Sequence, residues 1–223
     1  MRTKKLREVT ITGTAQQQTR QATPMQVMNG DDFSRISALS VSDAVKHFSG
    51  VNVKDYGGIG GLKTVSVRSL GAQHTGVSYD GVMLNDVQTG QIDLGKLSLD
   101  NVEKISLNNG QPDDIFQTAQ MFASSGVIAV TTKTPEFKSG TPFEGKVSVK
   151  TGTLGLINPS LLLSKNIGKK IHLIANSEWM KANGNFRFTQ TLGPGYDTVR
   201  YRNNSDVDIF HGELNGYYQI REN

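Results

Sequence analysis

A strict two-residue alternation near the C-terminal end limits what this chain can fold into more than any other feature. Phe210, Gly212, Leu214, Gly216, Tyr218 and Ile220 fall on one side, and His211, Glu213, Asn215, Tyr217 and Gln219 on the other. A helix would scatter both sets around its axis, so the pattern dictates a strand with one apolar and one polar face. Three earlier segments behave alike. Lys146–Thr151 sets Val147, Val149 and Thr151 against Lys146, Ser148 and Lys150. Residues 159–167 put Leu161, Leu163 and Ile167 on one face, broken by Lys165. Residues 171–180 set Ile171, Leu173, Ala175 and Trp179 against His172, Asn176 and Glu178, with Ile174 and Met180 blurring the division. The connections differ in length: IGKK at 167–170 reads as a tight turn, and 182–206 as a long, Gly/Asn-rich polar loop. Short turns at one end and long loops at the other belong to outer-membrane barrels. A soluble antiparallel sheet with one wet face has the same period, so alternation alone leaves both readings open.

Composition narrows the field. The 223 residues suit one to two domains, and a mean hydropathy of −0.37 comes with no apolar run near the length of about 18 residues that a membrane helix needs. Strands cross a bilayer in about 9–11 alternating residues, so spanning by strands stays open. The absence of cysteine removes disulfides, thiol catalysis and cysteine-ligated metals. The net charge of +4 falls wholly on residues 138–223, and its Lys and Arg are scattered rather than gathered on one face, which excludes nucleic acid as a partner. The N-terminal MRTKKLREVTITGT has a basic start with no apolar stretch behind it and is not a secretory signal. Either the protein stays inside the cell or the sequence begins within a longer chain.

The first 137 residues mix periods. Residues 9–13 (VTITG) are β-prone, and 14–24 read as a polar linker. Ser40 precedes Val41, Ala44, Val45 and Phe48, a short amphipathic helix with Ser40 as N-cap, Asp43 in the first turn and Gly50 ending it. Strands are expected over Val51–Lys54, Thr64–Arg68, Val102–Leu107 and Gly126–Thr132. Residues 75–84 read as a hairpin turning at Asp80-Gly81, a dipeptide that accepts the positive φ of a type I′ turn. Pro112-Asp113-Asp114 suits a helix start, with Ile115, Phe116, Ala119 and Phe122 following, and Pro135 closes the segment. This is a small α+β domain.

Catalytic chemistry finds no support. His47, His74, His172 and His211 show no metal spacing with one another, and no Gly-x-Ser-x-Gly elbow occurs. Tyr56–Gly61 (YGGIGG) lacks a following GK[ST] and reads as an irregular loop needing positive φ, not as a phosphate cradle.

The ordered set of these pieces resembles the plug of TonB-dependent outer-membrane receptors over most of residues 6–137. It runs through Glu8–Thr12, Pro24–Val27, Asp43–Val53, Val65–Arg68, Val77–Asn85, Asp93–Leu107, Asn109–Gly110 and Gly126–Lys133. No single piece is specific; the order and spacing are. Two departures stand out. Asn108-Asn109-Gly110 lacks the Arg usual before that Gly, and Ser69-Leu70-Gly71 delays the Gly usual after Arg68.

The resemblance implies an N-terminal periplasmic segment (1–14), a plug (15–137) and the first four or so strands (138–223) of a barrel that has 22 in this family. The expected fold class is therefore an α+β plug domain followed by antiparallel transmembrane β-barrel strands, an incomplete barrel in the outer membrane of a diderm bacterium. It implies a non-enzymatic receptor for energy-coupled import, most similar to the shorter vitamin B12 and siderophore receptors, with cobalamin or a ferric siderophore as cargo. A receptor used for signalling or surface binding without uptake is the alternative. Expected partners are TonB with its inner-membrane motor, a small nutrient and outer-membrane lipid. Glu8, Val9, Thr10, Ile11 and Thr12 stand as the TonB box, a β-branched, Pro-free segment able to pair along a sheet edge. Arg68 stands as a plug–barrel lock, and Gln73, His74, Asn85 and Gln88 as substrate contacts. No cofactor is required. Asp197, Asp206 and Asp208 match an arrangement that binds calcium in a barrel loop of the vitamin B12 receptors, and carboxylates are apt ligands for that ion.

Overall fold

A computed structural model describes residues 25–109, 118–134, 143–168, 170–193 and 195–220. The TonB-box residues, the polar linker, the Pro112 helix start and Pro135 lie outside them.

The plug opens with β1 (Met25–Asn29) and α1 (Gly30–Arg35), followed by α2 (Val41–Val45). The expected α2 stripe is buried: Val41, Ala44 and Val45 are 0% exposed. Ser40 occupies the N-cap position in extended conformation, but its hydroxyl faces Ser42 Oγ at 2.7 Å instead of closing the first turn. Gly50, at φ +79, turns the chain into β2 (Val51–Asp55), which pairs with β3 (Lys63–Val67). The expected hairpin is β4 (Thr75–Tyr79) with β5 (Val82–Leu84), and Asp80 and Gly81 take φ of +47 and +81 at its turn.

Further along the described residues come β6 (Val102–Asn108), α3 (Ala119–Ala123) and β7 (Gly126–Thr132). Thr118 is extended and caps the helix by accepting from the Met121 amide, and the buried side chain is Met121 rather than Phe122. The main sheet runs β1-β6-β7-β4-β5, parallel only between β4 and β7. Ile105, Leu107, Ile128 and Leu94 sit in its core at 0% exposure, each contributing about 1.5–3 kcal/mol by burial.

The second unit is a meander of β8 (Phe143–Thr151), β9 (Ile157–Ile167), β10 (Ile171–Ala182) and, last in the row, the strand Val207–Tyr218. All pair antiparallel. The segment expected as a polar loop at 182–206 instead contains a hairpin, β11 (Arg187–Gly193) with β12 (Tyr196–Tyr201), so Val207–Tyr218 is β13. Thr189, Thr191 and Val199 are β-branched, and Gly195 at φ +82 permits a tight reversal; high polarity had masked that propensity.

Burial separates the two readings that alternation left open. The apolar side is the exposed one: Phe143, Val147 and Val149 on β8, Leu161 on β9, Trp179 on β10, and Phe210, Leu214 and Tyr218 on β13. Asn158, Ser160, His172, Asn176 and Glu178 point the other way and are buried. A soluble sheet does the reverse, because exposing an apolar band to water is unfavourable. From Phe210 to Tyr218 the strand runs about 27 Å at about 3.4 Å per residue, close to the apolar band of about 25 Å on outer-membrane barrels.

Candidate functional site: a plug seated on the polar face of a barrel wall

The buried polar face of the four-stranded wall is covered by the plug. Glu213, on the plug-facing side of β13, is the hub. Its Oε1 accepts from Tyr79 Oη at 3.1 Å, from Asn101 Nδ2 at 3.1 Å and from Asn215 Nδ2 at 2.6 Å. Tyr79 and Asn101 are plug residues; Asn215 is on Glu213's own strand. His211 Nε2 lies 3.9 Å from the other carboxylate oxygen. Burial first, and then the adjacent Glu213 charge, push the Tyr79 hydroxyl well above its ordinary range, so it stays a donor.

A second contact starts one residue later. Asp80 Oδ1 accepts from the Thr132 amide at 2.8 Å, and Oδ2 from the Thr132 hydroxyl at 2.7 Å. Thr132 Oγ1 is then 3.2 Å from Tyr217 Oη; with the threonine proton given to the carboxylate, Tyr217 donates. A third contact joins Asp100 to β8 through Lys150 Nζ at 3.0 Å, while Lys133 Nζ donates to the Asp100 carbonyl at 2.9 Å. Burial works to raise the Asp100 pKa, but Ser160 and Lys150 beside it outweigh burial and lower it.

Gly60 fixes which plug loop meets which end of the wall. It takes φ +72, and a Cβ there would fall 2.5 Å from Val207 Cγ1, at the start of β13. The Tyr56–Gly61 loop therefore lies at the end from which the β11–β12 hairpin emerges. Asp55 holds that loop by accepting from the Gly57 and Gly58 amides at 3.0 and 2.7 Å, as expected for an irregular turn. Beside it is a polar cleft of about 220 Å³ whose lining includes Asn52, Lys54, Tyr56, Ser66, Gln73 and Gln91.

The proposed substrate contacts separate. Gln73 lines the cleft, its amide folded over Gly71, where a Cβ would lie 2.8 Å from Oε1. His74 offers its carbonyl to the Ser125 amide and hydroxyl, each at 2.8 Å. Asn85 is tied by both amide atoms to Gln120, at 3.1 and 2.6 Å. Gln88 is exposed on a turn where its amide donates to Asp86 Oδ1 at 2.8 Å. Arg68, at φ +51, is exposed and makes no ion pair among the described residues. The observed anchors, Tyr79, Asn101, Glu213 and Tyr217, were not singled out from the sequence. The available signal was a carboxylate on the polar side of the cleanest alternating strand.

The structure does not bring Asp197, Asp206 and Asp208 together: no group of three His, Cys, Asp or Glu able to hold a metal occurs among the described residues. Asp197 is drawn into the β11–β12 ladder opposite Thr191, and Asp208 accepts from Trp179 Nε1 at 2.6 Å.

Comparison with known proteins places this geometry. Residues 17–122 match the family model of the TonB-dependent receptor plug domain. No curated protein matches the chain. Among solved structures, Pseudomonas aeruginosa FpvA bound to a heterologous ferric pyoverdine is similar at 14% identity and TM-score 0.55, over 72% of this chain and 20% of that one. The ferric yersiniabactin uptake receptor FyuA of Yersinia pestis is similar at 16% identity and TM-score 0.52, over 74% and 24%. The copper transporter OprC is similar at 17% identity and TM-score 0.56, over 71% and 24%. The chain thus spans about a fifth to a quarter of these structures. Residues 17–122 thus form a TonB-dependent receptor plug domain, and the antiparallel strands after it share the fold of the start of the barrels in these structures.

Proposed function

We propose that this chain is the plug and first barrel wall of a receptor that imports a scarce, metal-bearing nutrient, a ferric siderophore or cobalamin, with energy supplied through TonB. Family members are transporters, not enzymes, and the fold serves transport in this way: an apolar outer wall meets lipid, and a plug fills the polar inner side. The observation that carries the reading is the inversion of the wall, exposed where apolar and buried where polar, with the plug hydrogen-bonded to that polar side. Cargo docks at the hairpin end, where Tyr56, Lys54 and Gln73 line the cleft. The similar structures are an iron–pyoverdine complex of FpvA, a ferric yersiniabactin uptake receptor and a copper transporter, which favours a metal complex here.

TonB pairs with Val9–Thr12 as an added strand. That mode needs free backbone donors, which proline lacks. Proline substitution at each of these positions is expected to abolish uptake while leaving cargo binding intact. Unchanged uptake with every substitution would sink the assignment of the box.

A further inference from the structure

We infer that the Asp80-Gly81 turn is a two-point seat that fixes the plug against β13, with Tyr79 on Glu213 as one point and Asp80, through Thr132, on Tyr217 as the other. The inference concerns how the plug is held and does not depend on the identity of the cargo.

Tyr79 and Asp80 are consecutive, yet they reach the barrel strand at residues four apart on its plug-facing side. Four strand residues span about 13 Å. Two anchors at that separation, beside the Asn101 bond to Glu213 and the Asp100–Lys150 contact on β8, fix both the position and the angle of the turn along β13. The turn geometry makes this reach available. Tyr79 ends β4 in extended conformation, while Asp80 at φ +47 swings its carboxylate back onto β7, where Thr132 relays the contact to Tyr217. The seat is also braced from within the plug, because the Asp80 amide donates to Val130 O at 2.9 Å.

The chemistry of the two points differs. The first pairs a hydroxyl with a carboxylate that also collects Asn101 and Asn215; such a charge-assisted bond is the stronger kind. The second ends in two neutral hydroxyls at 3.2 Å, with the Tyr217 ring held edge-on to His172 at a centroid distance of 6.4 Å. Tyr79 is accordingly the principal positioning residue, and Tyr217 the secondary one.

Amide hydrogen exchange of the purified receptor in detergent micelles tests the seat, read at Asp80 and, as an internal control, at Ile105 in the plug core. Tyr79→Phe keeps the ring and removes only the donor. It is expected to speed exchange at Asp80 by about tenfold, and Tyr217→Phe by about threefold, with Ile105 unchanged. Tyr79→Phe combined with Glu213→Gln, both on one point, should exceed Tyr79→Phe alone by less than twofold. Tyr79→Phe combined with Tyr217→Phe, on separate points, should multiply to about thirtyfold. Unaltered exchange at Asp80 in Tyr79→Phe would overturn the inference, as would equal acceleration at Ile105. A Tyr79→Phe, Tyr217→Phe pair no faster than Tyr79→Phe alone would overturn the two-point form.

Discussion

The Tyr79 hydroxyl donates to Glu213 Oε1 at 3.1 Å, joining the plug to β13 across 134 positions of sequence. Glu213 is acceptor-only when ionised and receives two further donors, so it organises the junction as much as it joins it. Glu213→Ala strands those donors and is expected to destabilise the plug by about 3 kcal/mol, whereas Glu213→Gln keeps an accepting oxygen and should cost less than half as much. Thermal unfolding in detergent, followed through plug signals, measures both. Equal losses would show that charge rather than acceptance holds the junction.

Gly60 combines a positive φ with a close approach to Val207. Gly60→Ala should therefore cost about 1–3 kcal/mol and move the Tyr56–Gly61 loop away from β13. Gly58, at φ +74 with open space where its Cβ would stand, separates the two effects. Gly58→Ala should cost only the backbone part, about 1 kcal/mol. Paired unfolding midpoints for the two variants check this.

The Asp100–Lys150 contact predicts an acid-side pH dependence. The Asp100 pKa is lowered from its ordinary 3.8 on folding. A carboxylate lowered on folding adds stability that is complete above its unfolded pKa and disappears as pH falls through the folded one. The contribution is thus full above about pH 5 and is lost progressively below the ordinary carboxylate range. Asp100→Asn should lower stability at neutral pH and flatten the acid limb of a stability–pH curve. An unchanged limb would contradict the assignment.

The cleft orders the proposed substrate contacts. Gln73 has its amide at the cleft wall, whereas Asn85 has both amide atoms engaged by Gln120. Gln73→Ala is therefore expected to weaken cargo binding about tenfold, by removing about one hydrogen bond. Asn85→Ala should change binding less than twofold. Titration of the purified receptor with labelled cargo distinguishes them.

Much of the fold was legible because local rules and tertiary context agree. Asp80-Gly81 admits one kind of turn, and Val41, Ala44, Val45 and Phe48 can share one buried face only on a helix. Phe210 to Ile220 reads as a strand whatever surrounds it. What alternation could not reveal was which face is buried, since period two is the same in a soluble sheet and in a barrel wall; the plug decides that by covering the polar side. The β11–β12 hairpin escaped notice because its polar and glycine content resembles a loop, while its Thr and Val positions carry the β propensity. The junction was the least legible part. Tyr79 and Glu213 lie 134 positions apart, and no local pattern encodes such a partner. The aspartates at 197, 206 and 208 illustrate the converse: apt ligand chemistry in sequence, dispersed by strand register and by the Trp179 bond to Asp208.

Uptake of labelled ferric siderophore and of labelled cobalamin by intact cells producing the receptor, with and without a protonophore, tests import most directly. At least one of these cargoes is expected to bind at the surface under both conditions and to accumulate only while the proton gradient stands. Accumulation that continues unchanged after the gradient is dissipated would contradict energy-coupled import.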